Sequence, residues 1–168
     1  VLSAVGLNPV TALQTDHVAA LLADSAKWTG VVVLGNVSLG NDSLDYYGNV
    51  NSTVRLSNVD VNSLVIAGRS NNVKSLDVAG NGLTFNELAA NTTIPCALTG
   101  DGSIVVKGSA AQQKVLSFTG DCSEFAGSLT IDNANSVAKV LFGTKDTVGN
   151  GSCLTVGSDA SVKVANST

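Results

Sequence analysis

The sequence predicts an all-β protein built as a β-solenoid, and three observations carry that expectation. Short apolar runs alternate with polar, Gly-containing turns through most of the chain. The clearest stretch is Gly102–Asn133, GSIVVKGSAAQQKVLSFTGDCSEFAGSLTIDN, in which Ile104–Val106, Val115–Phe118 and Leu129–Ile131 are the apolar runs. Val, Ile and Phe suit a pleated surface, whereas Gly, Asn and Asp suit turns with unusual backbone angles. The beat is also regular. Strand centres at Ile104, Leu116, Leu129, Val140, Leu154 and Val162 recur every 8–14 residues, and two or three such strands make a coil of about 20–30 residues, the range of stacked repeats. Finally, only 2 of 168 residues are Pro, aromatics are 4%, and Asn recurs at strand ends, where it can stack from coil to coil. The rival architecture is an antiparallel β-sandwich. Asn81-Gly82, Asp101-Gly102 and Asn150-Gly151 would be its hairpin turns.

The elements follow in order. In the first segment Thr15 or Asp16 can N-cap a helix, and Val18, Leu21, Leu22 and Ser25 then fall on one face. The spacing predicts a helix over about Asp16–Ala26, and residues 1–27 are expected to form a helical cap or linker over one open end of the solenoid. The solenoid itself is expected over 28–168, with Trp28 packed at its start. The strand-like segments WTGVVVLGN, VSLGN, LDYYGNV, STVRLSN, SLVIAG, VKSLDVAGN, LTFNEL, CALTGDG, IVVKG, KVLSFTGD, SLTIDN, AKVLFG, CLTVGS and SVKVANS complete it. Val31–Leu34 is continuously apolar and reads as a strand buried on both faces or at an interface. Val105 and Leu129 are expected to point into the core, where a charge would unfold the domain.

Composition narrows the function classes. With 44% apolar residues the chain can build a core, but charged residues are only 13%, about half the usual share. Ser, Thr, Asn and Gly must therefore fill the surface, a pattern of secreted or surface-displayed β proteins. The net charge is −4 and the 9 basic residues are scattered singly, which argues against nucleic acid as a partner. No apolar run approaches the roughly 20 residues of a membrane span. The chain begins at Val1 without Met, as a processed product or an excerpt of a longer protein would.

Chemistry-bearing residues are sparse. His17 is the only histidine, so no three-His metal site can form, and no cofactor motif is present. A glycosidase needs two carboxylates at a defined separation. Asp121 and Glu124, near Asp132, form the densest acidic group, but Asp101 and Asp121 each follow Thr-Gly and read as turn-closing residues. The candidate binding residues are Tyr46, Tyr47 and Arg55. Aromatic rings stack on sugars, yet adjacent strand residues point to opposite faces, so at most one of the two tyrosines is displayed. Cys96, Cys122 and Cys153 form no C-x-x-C pair. Two readings stand open for them. They are buried small apolar residues, or Cys96 and Cys122, about one solenoid turn apart, form a disulfide and leave Cys153 free.

GDGSIVVKG followed by FTGDCSEFAGSLTIDN resembles the passenger-associated repeat of bacterial autotransporters, over about Thr99–Val140. The resemblance implies a passenger fragment: a right-handed parallel β-solenoid (β-helix) on the bacterial surface, serving adhesion, aggregation or display. The expected function is thus a non-enzymatic, extracellular or outer-membrane-displayed structural or adhesive module. It would present a Ser/Thr/Asn surface to host or matrix glycans or glycoproteins, without a cofactor. The alternative is a carbohydrate-active β-helix enzyme or a sugar-binding module.

Overall fold

The computed structural model describes residues 29–40, 42–68, 73–107, 114–132, 138–142, 153–156 and 161–164. The helix expected over Asp16–Ala26, together with His17 and Trp28, lies outside these residues, as does the Asn150-Gly151 pair. Among the described residues fourteen strands follow one another: β1 (Gly30–Ser38), β2 (Ser43–Gly48), β3 (Ser52–Val61), β4 (Ser63–Gly68), β5 (Ser75–Val78), β6 (Leu83–Phe85), β7 (Thr92–Ile94), β8 (Ala97–Thr99), β9 (Ser103–Lys107), β10 (Lys114–Phe118), β11 (Ser128–Asp132), β12 (Ala138–Phe142), β13 (Cys153–Val156) and β14 (Ser161–Val164).

Every described strand pairing is parallel and joins one coil to the next. The chain is a parallel β-solenoid. This excludes the antiparallel sandwich. Strand β3 spans two walls: Thr53–Leu56 pairs with β5, whereas Val59–Val61 pairs with β6. One wall continues through β5 to β8, and a second runs β6–β9–β11–β13. A third holds β2–β4 and β7–β10–β12–β14.

The bend between the first two walls has a local cause. Asn36 and Asn58 both adopt a left-handed backbone, with φ of 55° and 57°. They lie 22 residues apart, and Asn58 Nδ2 donates to Asn36 Oδ1 at 2.8 Å. Asn tolerates this conformation because its short polar side chain bonds locally. One period further on, Gly80 takes the same corner with φ 58°. The Asn81-Gly82 and Asp101-Gly102 pairs expected as hairpin turns lie at this bend, between β5 and β6 and between β8 and β9. At the first pair Gly82 has a positive φ of 46°, and beside the second it is Gly100, at 99°, that does; such a glycine serves a solenoid corner as well as a hairpin, so the dipeptide does not discriminate between the two folds.

Side-chain partners across the first coils are 22 residues apart and drift to 23–26 further along, within the expected coil length. Inside the coils, parallel register stacks like on like. Val54, Leu76 and Leu98 form one inner row, and Val59, Leu83, Ile104 and Leu129 another. Val61, Phe85, Val106 and Ile131 form a third. All of these are buried, at 3% exposure or less. Each such side chain contributes about 1.5–3 kcal/mol relative to exposure, which is how a chain with few aromatics builds its core.

Two strand readings change phase. Val105 faces outward and is half-buried, while Ile104 and Val106 point in; Leu129 is inward as expected. Val31–Leu34 is buried on one face only: Val32 and Leu34 are in the core, and Val31 is 55% exposed. With side chains alternating strictly, a run of consecutive apolar residues cannot reveal which parity faces the core.

Candidate binding face

The outer face of the first wall carries the one candidate residue that is both displayed and held. Parallel register places Val33, Arg55, Asp77 and Thr99 in one outward row, and Val31, Thr53, Ser75 and Ala97 in the row beside it. The Arg55 side chain is 47% exposed, whereas that of Asp77 is only 12% exposed. Arg55 Nε donates to Asp77 Oδ2 at 2.7 Å, and Nη2 lies 2.6 Å from the same oxygen. A carboxylate shielded from water needs a partner charge, and Arg55 supplies it from the preceding coil. The backbone makes room for the carboxylate: a Cβ at Gly100, where φ is 99°, would sit 2.5 Å from Asp77 Oδ1. In the neighbouring row, the hydroxyls of Thr53 and Ser75 are 2.9 Å apart.

The second wall is similarly low in charge. Its outward rows contain Ser103 and Ser128, then Thr84, Val105 and Thr130, then Lys107 opposite Asp132. At its edge Asp60 Oδ2 accepts from Ser38 Oγ and from Asn86 Nδ2, each at 2.9 Å, so three coils share one carboxylate.

The other candidates separate. Tyr46 is not displayed: it is completely buried, and its hydroxyl lies 3.4 Å from Ser52 Oγ. Burial raises its pKa, and the Ser52 hydrogen bond partly offsets that. It belongs to the core and not to a sugar platform. The side chain of Tyr47 lies outside the described residues. Cys96 and Cys122 are buried free thiols, so the structure contains no bond between them. Burial pushes their pKa values up to about 11 and about 12, with the Asp121 charge adding to the effect on Cys122. Asp121 closes a turn: its Oδ1 accepts the Ser123 N–H at 2.9 Å, which holds its carboxyl below the usual range. Glu124 occupies the same exposed turn, and Asp132 ends β11 beside Lys107. Among the described residues no three His, Cys, Asp or Glu side chains converge in a way that could hold a metal ion.

The sequence reading missed Asp77 and the Thr53–Ser75 pair. The signal was present as opposite charges, and as paired hydroxyls, 22 residues apart. It becomes legible only when the coil length is known.

Fold and outer face together define a parallel β-solenoid with hydroxyl-rich, weakly charged walls. No protein-family model, curated protein or solved structure matches the chain. Among the described residues no helix is long and apolar enough to cross a membrane.

Proposed function

We propose that the chain is a non-enzymatic, surface-displayed or extracellular module that presents its flat polar walls to glycans or glycoproteins, as the passenger of a bacterial autotransporter does. The observation that carries this reading is the composition of the outward rows. Thr53, Ser103–Ser128 and Thr84–Val105–Thr130 set out small hydroxyl and apolar groups, those within a row at the spacing of the coils, about 4.8 Å. Hydroxyls both donate and accept hydrogen bonds without carrying charge, and they suit polyhydroxylated ligands or matrix polymers. Of the acidic residues weighed for catalysis, Asp121 accepts a turn hydrogen bond from Ser123 and Asp132 ends β11 beside Lys107.

The test is a glycan array that includes mucin and matrix glycoproteins, with every bound sugar followed by mass spectrometry. Binding with the sugars intact is the expected result. Cleavage of a bound sugar would replace the module with a carbohydrate-active enzyme and return attention to Asp121, Glu124 and Asp132.

A further inference from the structure

We propose that the Arg55 guanidinium, held by Asp77 and with Thr53 beside it on the same strand face, is a binding site for carboxylated saccharides. This rests on the glycan-contacting reading above and names the ligand class for the first wall.

Arg55 is held on one side and open on the other. Its Nε and Nη2 are both directed at Asp77 Oδ2, while 47% of the side chain remains exposed. A guanidinium has five N–H donors in a rigid plane. Nε and Nη2 are turned to Asp77, which leaves three further donors on the guanidinium. The exposed edge matches a planar carboxylate, which such a fork can bind with two hydrogen bonds. Asp77 fixes the plane because it is itself fixed, packed beside Gly100 where a larger residue would displace it. Immobilising a long side chain in advance lowers the entropy lost when ligand binds.

The surroundings favour a sugar acid over a simple anion. Asp77 offsets the Arg55 charge, and the chain as a whole is net negative, so attraction to any anion at long range is weak. Recognition must then come from short contacts. Thr53 stands two residues before Arg55 on the same outward face, about 6.6 Å along the strand. Its hydroxyl is oriented by Ser75. A hexuronate offers one carboxylate to Arg55 and ring hydroxyls to Thr53.

The experiment titrates the full chain with trigalacturonate and with its carboxyl-reduced, neutral counterpart by calorimetry in low-salt buffer. Arg55→Gln, Arg55→Lys and Lys107→Gln are titrated alongside, and their thermal melts are recorded. The acid should bind at least about tenfold more tightly than the neutral sugar, as charge-assisted hydrogen bonds do. Arg55→Gln should remove that preference, and Arg55→Lys should weaken it because a point charge lacks the fork. Lys107→Gln, on the second wall, should leave it unchanged. Equal affinity for acid and neutral sugar would overturn the proposal, as would full binding by a folded Arg55→Gln. Absence of acid binding would overturn it too. The wild-type comparison of the two sugars decides the matter even if an Arg55 variant unfolds. Glycan binding that ignores Arg55 would leave the adhesive reading standing, whereas silence across the whole array would remove both.

Discussion

Asn58 does two things at one corner: it holds a left-handed backbone and reaches back to Asn36 on the preceding coil. Asn58→Ala loses the hydrogen bond and places a Cβ-bearing residue without local compensation at φ 57°, at a cost of about 1–3 kcal/mol in urea unfolding. Asn58→Gly loses only the hydrogen bond and should cost less than Ala. The reverse order would show that the corner is not set by its backbone angle. Buried thiols supply a second residue-scale expectation. Burial pushes the Cys96 and Cys122 thiols up from 9.0 to about 11 and about 12 in the folded chain. Their protons are held more tightly in the folded state, so stability is intact below pH 9. It falls as pH rises through 9 towards 11–12, because the unfolded chain releases these protons first. Cys122→Ala should flatten that fall in pH-dependent unfolding. Native protein should also resist a thiol reagent at pH 8 that labels Cys96 and Cys122 after denaturation.

A strand in this fold is a parity decision, and strand parity explains what was readable. In β11 the polar Ser128, Thr130 and Asp132 mark one face, so Leu129 and Ile131 had to be inward. In β2 the polar Ser43 and Asp45 share parity with Tyr47, which leaves Leu44 and Tyr46 to the core. Alternation thus limits display to one of the two tyrosines, and the structure assigns the buried position to Tyr46. Strand β9 hid its phase because Ile104, Val105 and Val106 are all apolar, and only Ser103 and Lys107 betray that Val105 faces out. Coil length was bracketed from strand spacing but not fixed, so no cross-coil pair such as Arg55–Asp77 could be assigned. Two expectations belong here. Ile104→Asp should abolish cooperative melting, because it buries an unpaired charge, while Val105→Asp should still fold and melt cooperatively. Phe85 lies between Val61 and Val106 in an inner row and is fully buried. Phe85→Ala should cost about 3–5 kcal/mol in denaturant unfolding, because a row packed from both sides cannot collapse into the gap.

As a whole molecule the solenoid turns a local repeat into extended surfaces. Each paired strand adds a residue to the inner and outer rows of its wall. The core is therefore a set of apolar stacks, and the walls are sets of hydroxyl stacks. The proposed glycan contact and the Arg55 site both depend on that register, since a slip of one residue would turn Thr53 and Arg55 into the core. The register can be trapped chemically. Thr53 and Ser75 are direct partners on β3 and β5, and stacked strands about 4.8 Å apart bring Cα atoms within disulfide reach. The most direct measurement is mild oxidation of two double variants, Thr53→Cys with Ser75→Cys and Thr53→Cys with Asp77→Cys, with cross-links mapped by peptide mass spectrometry. A cross-link in the first variant and not in the second is the predicted result. Failure of the first to cross-link, or preference for the second, would contradict the in-register parallel stack on which both the fold and its binding face rest.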